Sequence, residues 1–147
     1  MAQVQSMQLG LTDRIALVTG GSRGIGAAVC AELARLGCDV AFTYVGEPSE
    51  AAATADAIQS AGRRALPLNA NAADTAATDA AVASTVQELG DLDILVCNAG
   101  ITRDGVIWNM SDQAWDDVIA VNLKGYFTFN RAAARLFKDR RGGRIVN

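Results

Sequence analysis

RIALVTGGSRGIGAAVCAELARLG, Arg14–Gly37, changes its hydrophobic period partway along. Ile15 to Val18 form a short unbroken apolar run, the pattern of a strand buried on both faces, and the strand is predicted over Arg14–Thr19. From Gly24 the apolar residues Ile25, Val29, Leu33 and Leu36 recur three or four apart, which predicts a helix with that stripe buried and with Gly37 closing its end. A buried strand that turns directly into an amphipathic helix is half of a βαβ unit, and the rest of the chain repeats it.

DVAFTY (Asp39–Tyr44) reads as a second strand, followed by a turn at Gly46–Pro48 and an alanine-rich helix to Ala61 that Gly62 closes. RRALPL is a third strand, Asp74–Leu89 a third helix, and LDILVCNAG a fourth strand ending near Asn98. Ala99 to about Asn109 is a loop, Ser111 caps a long helix reaching Asp139, and GRIVN is a fifth strand. Strands alternating with helix-length segments predict an α/β fold of doubly wound Rossmann type, a parallel sheet with five strands. The 147 residues form one domain without repeat or linker, and residues 1–10 are expected to be flexible.

Composition excludes several functions. With 50% hydrophobic and 20% charged residues and a net charge of −3, there is no broad basic surface for nucleic acid and no polybasic membrane patch. No window reaches the roughly 18 uninterrupted apolar residues of a membrane span, and the first residues lack the charged and apolar regions of a leader, so a cytoplasmic protein is expected. Cys30, Cys38 and Cys97 show no metal-ligand spacing and there is no histidine to assist them; they read as reduced, small apolar side chains, with no metal implied.

In doubly wound sheets ligands sit at the carboxyl ends of the strands, beside the point where strand order reverses. The first such loop is TGGSRGIG (Thr19–Gly26), with Gly20, Gly24 and Gly26 spaced Gly-x-x-x-Gly-x-Gly. Gly20 allows the tight turn, Gly24 lets helix-start amides approach a pyrophosphate, and Gly26 permits close packing; plain turn geometry is the alternative reading. Ser22, Arg23 and Ile25 lie within the same loop. Arg23 is placed to pair with a 2′-phosphate, against the alternative of a solvated loop charge. The second strand ends at Tyr44 with no carboxylate before Glu47, where a site for NAD has an acid for the ribose 2′-hydroxyl, so the pair of observations favours NADPH/NADP.

TGGSRGIG, CNAGITRDG and AVNLKGYF, in this order, resemble the short-chain dehydrogenase/reductases from Leu11 to Asn147. NAGITRD (Asn98–Asp104), with Trp115 and VNLKG, most resembles the β-ketoacyl-ACP reductases and acetoacetyl-CoA reductases. The resemblance implies that Asn98, Ala99 and Gly100, with Ile101 after them, stabilise the sheet and line the ribose and nicotinamide side of the cofactor, with Cys97 standing where the family has an asparagine. It implies that Asn71 and Ala72 occupy the adenine loop, where the family has Asp and Val; an amide, both donor and acceptor, can still meet the adenine amino group. Tyr44 joins the cofactor-binding set at the end of the second strand. Asn122 falls on the helical stripe of Trp115, Val118, Ile119, Leu123 and Phe127, which is expected to face the core, so its amide needs partners. The resemblance gives it a catalytic role, holding a water of the family's proton relay.

The family's chemistry also uses a Ser, a Tyr and a Lys four residues after that Tyr. Tyr44 is followed at that spacing by Pro48 and Tyr126 by Asn130, so of the four positions the chain supplies only Asn122. The expectation is an NADPH-dependent reductase of a β-ketoacyl thioester, with these residues as its cofactor-binding part, inactive alone, and completed by a further C-terminal segment that covers the last strand. The alternatives are a short-chain reductase of another ketone or sugar, or a non-catalytic nucleotide-binding or assembly module. A homo-oligomer, as in the family's tetramers, is expected through the helix from Ser111.

Overall fold

A computed structural model describes residues 10–147, so the stretch expected to be flexible lies, Gly10 apart, outside the described residues. Five parallel strands form one sheet: β1 (Ile15–Val18), β2 (Asp39–Tyr44), β3 (Ala65–Asn69), β4 (Ile94–Val96) and β5 (Arg144–Val146), in spatial order β3-β2-β1-β4-β5. The chain runs outward from β1 to β3, then returns and continues through β4 to β5. Strand order therefore reverses at β1 and β4, and their carboxyl ends define the switch-point crevice. Central burial explains the unbroken apolar runs: every residue of β1 and β2 is buried, whereas the edge strand β5 leaves Ile145 and Val146 exposed.

Helices cover both faces, as a doubly wound sheet requires. On one face α1 (Gly24–Arg35) and α2 (Ser49–Ser60) pack with Val18, Val40, Phe42 and Ile58. On the other, α3 (Thr75–Leu89) and α5 (Gly125–Arg140) pack with Leu17, Leu92, Leu95 and Phe129. Asp74 caps α3 by accepting the N–H groups of Ala76 and Ala77 at 2.8 and 3.2 Å. The three cysteines are free and buried, and burial pushes the Cys30 and Cys97 thiols up to about 12, which keeps them protonated and unreactive.

Two expectations about helix faces are corrected. In α1 the buried residues are the small ones, Gly26, Cys30 and Ala34, four apart, which lets the helix approach the sheet closely; Ile25 at the helix start is 77% exposed. The helix expected over 111–139 runs unbroken but not regular: α4 (Asp112–Ile119), capped by the Ser111 hydroxyl accepting the Ala114 N–H, then a π-helical turn at Ala120–Lys124, then α5. The wider turn rephases the helix. Thr128, Phe129, Ala132 and Ala133 face the core, while Trp115, Leu123 and Phe127, expected to be buried, are 60%, 64% and 57% exposed.

Charged groups order the other end of the sheet. Asp93 accepts the Ile15 N–H at 2.9 Å, and Asp39 accepts the N–H and the Nε–H of Arg64 at 3.0 and 2.7 Å. Burial works against the Asp39 charge, but the two Arg64 hydrogen bonds and the charges of Arg63 and Arg64 outweigh it and hold its carboxyl below the usual carboxylate range. A lowered folded pKa contributes stability that is complete above the unfolded value of about 4 and is lost as pH falls through the folded value. Asp39→Asn is therefore expected to lower the urea midpoint at pH 7, and the gap from the parent protein is expected to close on acidification below about pH 4.

Candidate functional site

The site begins with one buried threonine at the end of β1. Thr19, 1% exposed, accepts the N–H groups of both Asn98 and Ala99 on its hydroxyl oxygen, each at 2.9 Å. Asn98 reciprocates: its Nδ2 donates to the carbonyls of Thr19 and Gly20 at 3.0 and 3.1 Å. Beside them the Gly20 N–H donates to the Thr43 hydroxyl at 3.1 Å, tying the loop to β2. The loops that follow β1 and β4 are thus one hydrogen-bonded unit at the switch point.

This unit explains two of the glycines. Gly20 has φ +66°, a left-handed turn off the strand that a side chain would strain. A Cβ at Gly26 would collide with the Gly20 carbonyl and come within 2.6 Å of Asn98 Nδ2. The close packing expected of Gly26 is therefore against the loop after β1 and Asn98, which brings the start of α1 down onto the crevice. Arg23 occupies the N-cap with extended backbone and makes no side-chain cap. The first-turn amides of α1 have no side-chain cap and are left open to an external anion, and Arg23 lines the cavity at this helix start.

A cavity of about 580 Å³ runs along the carboxyl edge. Of the residues singled out by sequence, it is lined by Gly20, Ser22, Arg23, Tyr44, Asn71, Ala72, Asn98, Ala99, Gly100 and Ile101. Gly24, Ile25, Gly26 and Asn122 are not among its lining residues: the first three shape or begin α1, and Asn122 stands behind the wall. Thr43, Val45, Glu50 and Asp117 line the cavity although no motif marks them, and Arg103, within NAGITRD, lines it without having been singled out. For Val45 a signal existed, an apolar residue directly after a buried strand and 61% exposed; Glu50 enters only because α2 folds back over the loop.

Asn122 lies inside the π-helical turn. Its Oδ1 accepts the Ile101 N–H and its Nδ2 donates to the Ile101 carbonyl, both at 2.9 Å, so a side-chain amide pairs with a backbone as a neighbouring strand would. The expectation that this amide must be hydrogen-bonded holds; the expectation of core burial does not, since Asn122 is exposed. At the same juncture Gly125 admits Ala72: a Cβ there would meet the Ala72 carbonyl at 2.9 Å. The irregular helix thus packs against both the loop after β3 and the loop after β4.

The set of groups fits a nicotinamide dinucleotide. It offers open helix-start amides and a guanidinium for phosphate, an apolar and amide-lined recess at the ends of β2 and β3, and a rigid turn at Asn98–Ile101 facing them. Neither tyrosine is paired with a lysine, and burial, followed by the nearby Cys97, pushes the Tyr126 phenol up. Among the described residues there is no cluster of metal-ligating side chains, and no helix is long and apolar enough to cross a membrane.

Comparison with known proteins agrees with this geometry. The family model for short chain dehydrogenase matches residues 14–147. The 3-oxoacyl-(acyl-carrier-protein) reductase FabG of Staphylococcus aureus is 42% identical over 132 residues, 90% of this chain and 54% of its own. A short-chain type dehydrogenase/reductase from Mycobacterium marinum superimposes with TM-score 0.87 at 32% identity, over 92% of this chain and 55% of its own. A short chain dehydrogenase from Burkholderia cenocepacia J2315, in complex with NADP, gives TM-score 0.83 at 43% identity, over 86% of this chain and 51% of its own. The chain spans about half the length of these relatives. With fold, crevice and motif residues in agreement, the chain belongs to the short-chain dehydrogenase/reductase family of oxidoreductases, among homologues of 3-oxoacyl-(acyl-carrier-protein) reductase.

Proposed function

We propose that this chain is the cofactor-binding part of an NADPH-dependent reductase of a β-ketoacyl thioester, acetoacetyl-CoA or a 3-oxoacyl-ACP, working in the cytoplasm. The observation that carries the proposal is the cavity in which the phosphate loop, Arg23 and the Asn98–Ile101 turn share one wall system. The name of the Staphylococcus aureus relative supports the substrate class, and the NADP found with the Burkholderia cenocepacia relative supports the cofactor. When bound, NADPH supplies the hydride for a keto carbon.

The chain's own residues divide the binding. The α1 amides and Arg23 take phosphate; Tyr44, Val45, Asn71 and Ala72 form the base end; Asn98, Ala99, Gly100 and Ile101 form the nicotinamide side. Asn122 positions Ile101, and its side chain is committed to that backbone. A relay water would then rest on what remains of the widened turn. The choice of NADPH follows from Arg23 and from the lack of a carboxylate at the end of β2, with Glu50 as an opposing charge in the same cavity.

The exposed apolar surface of Trp115, Leu123 and Phe127, with Trp108 at 81% exposure nearby in sequence, supports association of copies through α4 and α5. This surface also keeps the assembly-module reading in play, and the exposed edge of β5 suits a further covering segment.

In calorimetric titrations of the 147 residues, Arg23→Ala is expected to weaken NADPH about tenfold or more while moving NADH little, as for one lost charge-assisted contact. Glu50→Gln is expected to act in the opposite sense. No oxidation of NADPH with acetoacetyl-CoA is expected from these residues alone. An equal loss for both nucleotides would refute the phosphate assignment, and full turnover would refute the assignment of chemistry to groups outside this chain. By light scattering after size exclusion, Phe127→Asp with Trp115→Asp is expected to convert an oligomer to monomer; an unchanged mass would refute the α4–α5 interface.

A further inference from the structure

Among the described residues four threonines lie buried on helices, Thr54, Thr78, Thr85 and Thr128. A threonine hydroxyl inside a helix ordinarily donates to a carbonyl three or four residues back in its own helix. Thr78, Thr85 and Thr128 do so, to the carbonyls of Thr75, Ala81 and Gly125 at 2.9, 2.8 and 2.9 Å. Thr54 does otherwise. It sits on the buried stripe of α2 with Ala51 and Ile58, and its hydroxyl donates across to the Ser22 carbonyl at 3.3 Å, 32 residues away in the loop after β1.

That bond completes a series. The Gly20 N–H donates to the Thr43 hydroxyl at 3.1 Å, the Gly21 N–H donates to the Thr43 carbonyl at 2.9 Å, and a Cβ at Gly21 would come within 2.5 Å of the Phe42 side chain. The loop is laid residue by residue against β2, and Thr54 extends the contact to α2 at Ser22. A peptide unit is planar and trans, so its C=O and N–H point to opposite edges. Ser22 and Arg23 line the cavity, whereas Thr54 stands behind its wall. With the Ser22 oxygen drawn back to Thr54, the Arg23 N–H lies on the other edge of the same peptide. Turning that peptide over would strand the buried Thr54 hydroxyl and exchange a donor for an acceptor on the side away from α2. An anion is disfavoured by that exchange, because a carbonyl oxygen carries partial negative charge.

We infer that Thr54 is a positioning residue for phosphate binding: from α2 it locks the Ser22–Arg23 peptide, so that the loop offers an anion the Arg23 N–H and not the Ser22 oxygen. This rests on the cavity being a dinucleotide site. Thr54 acts through the loop without touching the ligand, and it links the packing of α2 to the affinity of the site.

The test is calorimetric titration with NADPH of the parent, Thr54→Val, Thr54→Ser and Thr85→Val, each beside its urea midpoint. Valine keeps the shape and removes the donor, and serine keeps the donor. Thr85→Val removes another buried hydroxyl, one that bonds only within its own helix. Thr54→Val is expected to raise the dissociation constant about fivefold, the factor carried by one hydrogen bond of ordinary strength, and Thr54→Ser to lie within about twofold of the parent. Thr85→Val is expected to lower the urea midpoint and leave the dissociation constant unchanged, as a purely structural Thr54 would also do. A parent-like constant for Thr54→Val, a serine variant as weak as the valine one, or an equal weakening in Thr85→Val overturns the inference. A further measurement needs no variant: in amide NMR spectra of the parent the Arg23 N–H is expected to shift downfield as NADPH binds, and an unmoved Arg23 resonance overturns the inference as well. Failure of the parent to bind NADPH overturns the dinucleotide reading, and the inference with it.

Discussion

One hydroxyl holds the two halves of the crevice together. Thr19 accepts two backbone N–H groups from the turn after β4, and the Asn98 amide returns two bonds to the turn after β1. These groups lie where strand order reverses, the place in an open parallel sheet where two loops part and leave a crevice. Without the latch the loops would have only the β1–β4 ladder to relate them, and that ladder ends at the Val18–Val96 pair. Leaving even one of the buried donors unpaired costs about 1–3 kcal/mol. The Gly26 contact depends on the latch as well, because it presses against Asn98 and the Gly20 carbonyl; so does the position of the α1 N-terminus.

A second layer supports the first. The π-helical turn carries Asn122, which pairs with the Ile101 backbone, and leads into Gly125, which sits on the Ala72 carbonyl, so one irregular stretch buttresses both the turn after β4 and the loop after β3. Along the same helix Trp115, Leu123 and Phe127 lie exposed, before, within and after the widened turn.

The elements were legible because each carries a local signal. Buried strands read as apolar runs, Ser111 and Asp74 mark helix starts, and the glycine spacing between a strand and a helix points to the phosphate loop. The carboxyl-edge location followed from topology, and ten of the cavity's lining residues were visible in two motifs, the end of the second strand and the loop after the third. What escaped was set by tertiary contact. The stripe of Trp115, Leu123 and Phe127 has helical spacing, but spacing does not say which face meets the core, nor does it reveal a widened turn whose contacts, Ile101 and Ala72, lie 21 and 53 residues away in sequence from Asn122 and Gly125. Ile25 fits the periodic stripe of α1 while the helix packs through its small residues instead. The Asn71 amide was legible as both donor and acceptor; only the loop's hydrogen bonding shows that its oxygen faces the Ala73 N–H.

The latch at Thr19 is tested most directly by the dissociation constant for NADPH of Thr19→Val, measured by calorimetry beside its urea midpoint. Valine keeps the volume and removes the acceptor, so the account predicts binding weakened about tenfold or more, a stability loss of about 1–3 kcal/mol from the stranded Asn98 and Ala99 donors, and recovery of both in Thr19→Ser. A Thr19→Val protein with a native circular dichroism spectrum and an unchanged dissociation constant would contradict it.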